Sequence, residues 1–246
     1  GALAAWGISE SVIAAVVATL AEVGGLIFVI WVSHDSFSLL PERLPELLPP
    51  FRAAEWGSIL LGSILAFYAF IGFEDMVNVA EEIKDVRRNL PIAMILTLVV
   101  TTVFYIALAL VATLSLPVDE LGASKAPLAL LVEHHAGPKA AATISVIALV
   151  AVLNGALIQI VMAARVIYGL SCQGWLPPIF ATVHPRFRTP MLATAIVTSC
   201  VAGFALWLPL ATLAEITSIL TLFVFATVNL ALYRIKRRKP AEPGLI

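Results

Sequence analysis

From Pro91 to Ser115 the chain carries no charged side chain. A run of that length crosses the hydrocarbon core of a bilayer, which takes about 20 apolar residues at about 1.5 Å of helical rise each. In lipid every backbone polar group must be satisfied within the segment, so such a run has to be helical. Composition closes off the alternative of a buried core helix in a soluble protein. The sequence is 61% hydrophobic and only 13% charged, against about 45–50% and about 25% for soluble domains. The 15 basic and 16 acidic residues are too few to cover a water-facing surface of 246 residues.

Five further segments read as spans, which makes the fold class all-α and polytopic. The expected helices are about 11–33, interrupted by Glu22; 57–80, apolar as far as Phe73 and amphipathic beyond; 91–115; 140–169, charge-free until Arg165; 191–207; and 214–233. Proline punctuates the series. Pro41, Pro45, Pro49 and Pro50 fill the first long connection. Pro91 is expected to open the third span, where its missing N–H is harmless. Pro209 separates the last two spans, because proline disfavours a continuous helix there.

Charge distribution orients the spans. With the N-terminus in the cytoplasm, cytoplasmic segments hold Lys84, Arg87, Arg88, Arg165, Arg186, Arg188, Arg234, Lys236, Arg237, Arg238 and Lys239, 11 residues, against Arg43, Arg52, Lys125 and Lys139, four, on the other side. The positive-inside rule selects this arrangement and puts both ends in the cytoplasm of a cell membrane. Trp31, Trp56 and Trp207 then fall at outer span ends, Trp6 and Trp175 at inner ends, where an amphipathic indole sits best. In the outer connection 116–139, the apolar stretch from Ala126 to Val132 reads as a short helix or as a loose loop.

Several function classes drop out. No basic face suits nucleic acid. Cys172 and Cys200 suggest no disulfide framework. His34, His134, His135 and His184 do not cluster with carboxylates at metal-ligand spacing, the adjacent pair 134–135 reads as solvated, and no metal or cofactor is expected. No histidine lies in a span, which disfavours a membrane-embedded enzyme.

Two places inside the spans carry chemistry. In the second, Phe70-Ile71-Gly72-Phe73 is followed at once by Glu74 and Asp75. Apolar chain from Gly57 is too short to leave these acids outside the membrane, and a carboxylate at that depth must face protein or water. Gly72 can leave the helix because it has no Cβ. Unwinding there would free backbone groups, and the N–H groups opening the next helical turn would favour an anion. The competing reading is a continuous helix with Gly72 as a packing residue. In the first span Glu22 falls near the midplane, and in the fourth span Asn154 and Gln159 are polar. Glu22 is either a proton-responsive group, since removal from water favours the neutral carboxyl, or a structural carboxylate bonded to neighbouring helices. Asn154 reads as an interhelical hydrogen-bonding residue or an ion or substrate contact.

Three blocks of sequence carry a family resemblance. Phe67-Tyr68-Ala69-Phe70-Ile71-Gly72-Phe73-Glu74 with Glu81-Glu82-Ile83-Lys84 and Arg88-Asn89-Leu90-Pro91 resembles the sixth helix and following loop of the amino acid–polyamine–organocation permeases. Gly7-Ile8-Ser9-Glu10-Ser11 with Thr19-Leu20-Ala21-Glu22-Val23-Gly24-Gly25 resembles their fifth helix. Arg165-Val166-Ile167-Tyr168-Gly169, Gly174-Trp175-Leu176-Pro177 and His184-Pro185-Arg186 resemble the end of their eighth helix and the loop after it.

The resemblance implies the LeuT-like transporter fold of two inverted five-helix repeats. Residues 1–56 would hold the equivalent of transmembrane helix 5 and an outer loop, and 57–246 the second repeat. The first four helices would be missing, so the chain would need those helices of the same protein as partners. The resemblance also implies secondary active transport of an amino acid or amine across the bilayer by alternating access, through proton-coupled symport or exchange. The alternatives are a sodium-coupled amine transporter and a structural or chaperone-like membrane protein. Phe70, Ile71, Gly72, Phe73 and Glu74 become the substrate-binding segment. Members of the family often carry lysine where this chain has Glu22, so a lysine-based proton switch does not transfer directly.

Overall fold

The computed structural model of the chain describes residues 8–48, 53–185 and 189–238. Trp6, Gly7, Pro49, Pro50, Arg52, Arg186–Arg188 and Lys239, which entered the sequence reading, lie outside the described residues. The described residues are helical with short connections, and no strand occurs among them.

The α-helices are α1 (Ile8–Val32), α2 (Leu40–Leu47), α3 (Ala53–Tyr68), α4 (Val86–Ser115), α5 (Val118–Ala123), α6 (Pro127–Ala136), α7 (Pro138–Cys172), α8 (Met191–Trp207) and α9 (Leu210–Arg238). Tighter 3-10 segments occupy His34–Leu39, Phe73–Glu82 and Pro178–Ala181. Four stretches, Trp56–Asn78, Val86–Ser115, Pro138–Cys172 and Leu210–Arg237, are long and apolar enough to cross a membrane. A fifth arises if Val16–Val32 and His34–Leu47, bent by 53°, count as one broken span. The chain is therefore a multi-pass helical membrane protein. The 17 residues of α8 reach only about 26 Å, near the short limit for a span.

Surface chemistry agrees with a lipid environment. Leu96, Val103, Val152 and Leu153 are each at least 60% exposed on long helices. Trp31, Trp175 and Trp207 are also largely exposed at or beyond helix ends. Water would penalise such faces, whereas acyl chains and headgroups accept them.

Several helix ends differ from the sequence reading, and two of the differences have a plain local cause. α4 begins at Val86, so Pro91 lies inside the helix rather than at its start. The reason is local. Asp85 adopts a positive φ of 49°, and its carbonyl accepts the N–H groups of Arg88 and Asn89 at 3.0 and 2.9 Å. The Asn89 amide also donates to the Lys84 carbonyl at 2.6 Å. The charged hairpin thus starts the helix before the apolar run begins. In the other case, α9 runs from Leu210 to Arg238, beyond both ends of the expected 214–233. The apolar run ends near Tyr233, but helical pairing continues through the basic turn to Arg238.

Two compact units can be distinguished, one of Gly1–Leu48 and Thr101–Ala202 and one of Pro49–Val100 and Gly203–Ile246. In the first, Val29, Leu108, Val111, Leu116, Leu131, Val132 and Ile144 form the core. They gather the ends of α1 and α4, the middle of α6 and the start of α7. Burying a side chain of this size contributes about 1.5–3 kcal/mol, and these ends are consequently the best-anchored part of the unit. Of the stretch 126–132, Ala126 caps α6 and 127–132 belong to it, with Leu131 and Val132 fully buried. In the second unit α3 packs on α9.

Candidate functional site

The α-helical pairing of the second span stops at Tyr68. The next N–H groups step back three residues instead of four. Ala69 donates to Ala66, Phe70 to Phe67 and Ile71 to Tyr68, at 3.1, 3.0 and 3.2 Å. Gly72 follows with φ 121° and ψ −20°, a conformation that a Cβ would strain. From Phe73 to Glu82 the chain continues as a 3-10 segment, long for a geometry that seldom exceeds 3–4 residues. The interruption is thus marked by a change of helical step and by the backbone conformation of Gly72. Three-residue turns take up the carbonyls of Ala66, Phe67 and Tyr68.

Glu74 and Asp75 occupy the first turn of the new segment. Gly72 donates its backbone N–H to Glu74 Oε2 at 2.8 Å, and an acidic side chain is the partner that helix starts favour. Asp75 accepts from the Asn78 amide at 3.2 Å. Phe70, Ile71, Gly72, Phe73 and Glu74 are all half-buried. An N–H suited to an anion is therefore present at the interruption, and the chain's own carboxylate occupies it.

In the other unit, α1 and α7 bring Glu22 and Asn154 together. Asn154 is buried, and its Nδ2 donates to Glu22 Oε1 at 2.9 Å and to Thr19 Oγ1 at 3.4 Å. The two helices run in opposite directions and approach closely at Gly25, where a Cβ would stand 3.0 Å from Ile147 Cγ2. Small residues at such contacts let helix backbones approach and let polar side chains reach across. Sequence reasoning named Glu22 and Asn154 separately. Their pairing needed the crossing at Gly25, and the adjacent glycines 24–25 were the available signal.

A second polar group was missed. Ser36 and Ser115 share a hydrogen bond of 2.6 Å, and His135 Nε2 lies 3.3 Å from Ser36 Oγ. Arg43 Nη1 donates to the carbonyls of Thr113 and Leu114, both at 3.0 Å, and so caps the end of α4. The half-buried His135 is thus engaged rather than merely solvated. A lone arginine between prolines gives no sequence signal for this role, because its acceptors are backbone groups about 70 residues away.

A model of the amino acid permease family matches residues 2–245. The methylthioribose transporter of Bacillus subtilis (strain 168) is 31% identical over 196 residues, covering 80% of this chain and 42% of that protein. The branched-chain amino acid permease of the same organism is 27% identical over 199 residues, covering 81% and 43%. Cationic amino acid transporter 4 of Homo sapiens is 27% identical over 198 residues, covering 79% and 31%. The chain spans less than half the length of these relatives.

Proposed function

The chain belongs to the amino acid permease family, and we propose that it contributes one side of the solute site in a secondary active transporter of amino acids or related amines. The observation that carries this reading is the interruption of a membrane-spanning segment at 69–72, with Glu74 folded back onto the Gly72 N–H. Irregular backbone at membrane depth is tolerated where it lines a cavity or is buried in protein, and interrupted helices recur at transporter binding sites.

In this reading Phe70, Ile71, Gly72, Phe73 and Glu74 meet the solute, and residues 57–246 form the second of two inverted repeats. The Glu74 carboxylate attracts an ammonium group. A substrate carboxylate reaches the Gly72 N–H only by displacing Glu74. The arrangement therefore favours cationic or neutral amino acids and amines over acidic ones. Relatives named for branched-chain and cationic amino acids fit that preference.

Glu22 is our candidate for proton coupling. A carboxyl group within a span changes its energetics sharply with protonation, and Asn154 offers a hydrogen bond that either form can accept. The 11-to-4 distribution of Lys and Arg supports cytoplasmic placement of both chain ends.

The test is uptake of radiolabelled amino acids by the full-length protein carrying this sequence, reconstituted in liposomes, with pH and sodium gradients imposed separately. Accumulation driven by an inward proton gradient alone is the expected result. Accumulation that follows sodium alone would reject proton coupling, and no accumulation of any amino acid would reject the transport reading.

A further inference from the structure

Phe225 of α9 touches the second span on both sides of its interruption. Its ring centroid is 6.2 Å from that of Phe67, with the planes at 86°. It is 5.9 Å from that of Phe73, with the planes at 65°. Both are edge-to-face contacts, the favoured geometry for aromatic pairs. Phe67 lies in the last turn of α3 and Phe73 opens the 3-10 segment.

On a continuous α-helix, residues six apart point about 120° away from each other around the axis and stand about 9 Å apart along it. A single ring on a neighbouring helix meets both poorly in that geometry. The change of step between 69 and 72 removes the angular mismatch. One ring seated on Phe67 and Phe73 together is therefore a contact that belongs to the interrupted form of the span, and a continuous α-helix loses one half of it.

We propose that Phe225 is a positioning residue for the solute site. Its ring clamps the two ends of the interruption, so that 70–74 hold the geometry in which Gly72 and Glu74 are placed for binding. The inference rests on the reading of Phe70–Glu74 as the solute segment. Phe225 need not touch the solute. Its contribution to affinity comes from keeping the site formed before binding, so that binding does not also have to change the helical step.

The experiment uses the full-length protein in liposomes, in a background without other reactive thiols and with Ile71→Cys as reporter. Its probe is the proteinogenic amino acid that the wild type accumulates to the highest level. Protection of the cysteine from a thiol reagent by this amino acid reports occupancy of the segment. Phe225→Ala is expected to raise the concentration for half-protection, and the KM of uptake, by about tenfold. Phe225→Tyr, which keeps the ring, is expected to restore both. Phe225→Leu, which keeps most of the bulk and loses the ring edge, is expected to follow the alanine variant, and it carries the test if Phe225→Ala does not fold. Clear protection of Ile71→Cys with the same half-protection concentration in the Ala and Leu variants would overturn the clamp and leave the solute segment standing. Absence of protection in the Phe225 parent would overturn the solute segment, and the clamp with it.

Discussion

Asn154 spans the α1–α7 interface to reach Glu22 at 2.9 Å, and it is the more deeply buried of the two. The amide can donate to the carboxylate, and by turning over it can accept from the carboxylic acid. The pair is thus able to persist through a protonation event on Glu22.

Glu22→Gln keeps the shape of the side chain and removes the titration. Under the proposed coupling role, uptake by the variant loses its dependence on an imposed pH gradient while exchange of internal for external substrate continues. Reconstituted transport at several external pH values checks this. Unchanged proton coupling would take Glu22 out of the mechanism.

Asn154→Ala removes the partner and leaves Glu22 to find another. Interhelical hydrogen bonds in membranes contribute about 0.6 kcal/mol on average and reach about 1.7 kcal/mol. A loss of about 1 kcal/mol is expected, read as a drop in the thermal unfolding midpoint in detergent. Asn154→Asp, which sets two carboxyl groups against each other, is expected to be worse near neutral pH than under acid conditions.

Gly72→Ala places a Cβ at φ 121°, where strain of about 1–3 kcal/mol is expected. The 69–72 turn would give way before the surrounding helices do. The expected result is protein that still inserts in the membrane but takes up substrate at least about tenfold more slowly. Initial uptake rate normalised to the amount of protein in the membrane tests it.

The two glycines of α1 should respond oppositely. At Gly25 an added Cβ lies 3.0 Å from Ile147 Cγ2, whereas at Gly24 nothing lies within 4 Å. Gly25→Val is expected to destabilise by about 1–3 kcal/mol through overpacking, and Ile147→Ala in the same chain should recover part of the loss. Gly24→Ala should be neutral or stabilising by up to about 1 kcal/mol, because it only improves helix propensity. Unfolding midpoints of the three variants decide this.

Arg43→Ala should release the His34–Leu47 segment from the end of α4, since both Arg43–carbonyl bonds go. A cost of about 1 kcal/mol is expected for this half-exposed contact. Hydrogen exchange should rise across residues 34–47 and stay unchanged in α9. Lysine offers a single donor head in place of a fork, so Arg43→Lys should restore only part of the protection.

Much was legible in the chain before folding. Uncharged apolar runs dictate membrane helices, because no other structure satisfies backbone groups in lipid. Met191–Trp207 emerges with the bounds its sequence implies, set by Pro190 before it and the Leu208-Pro209 turn after it. The segment around Gly72 is marked by the acids that follow it, but sequence leaves an interruption and a continuous helix both open, and the φ of 121° at Gly72 decides between them. These are local properties, decided by each segment and its solvent.

Tertiary structure decided the rest. Which polar group meets which depends on helix crossings, and Glu22 finds Asn154 only because Gly25 lets α1 approach Ile147. Arg43 reads as an ordinary loop cation until the core around Leu131 and Val132 brings the end of α4 beside it. Phe67, Phe73 and Phe225 look like three of many apolar residues, and only the changed helical step turns two of them toward the third. The physical reason is common to all three cases. A side chain's partner is fixed by packing between segments distant in sequence, which hydrophobic periodicity along one segment does not encode.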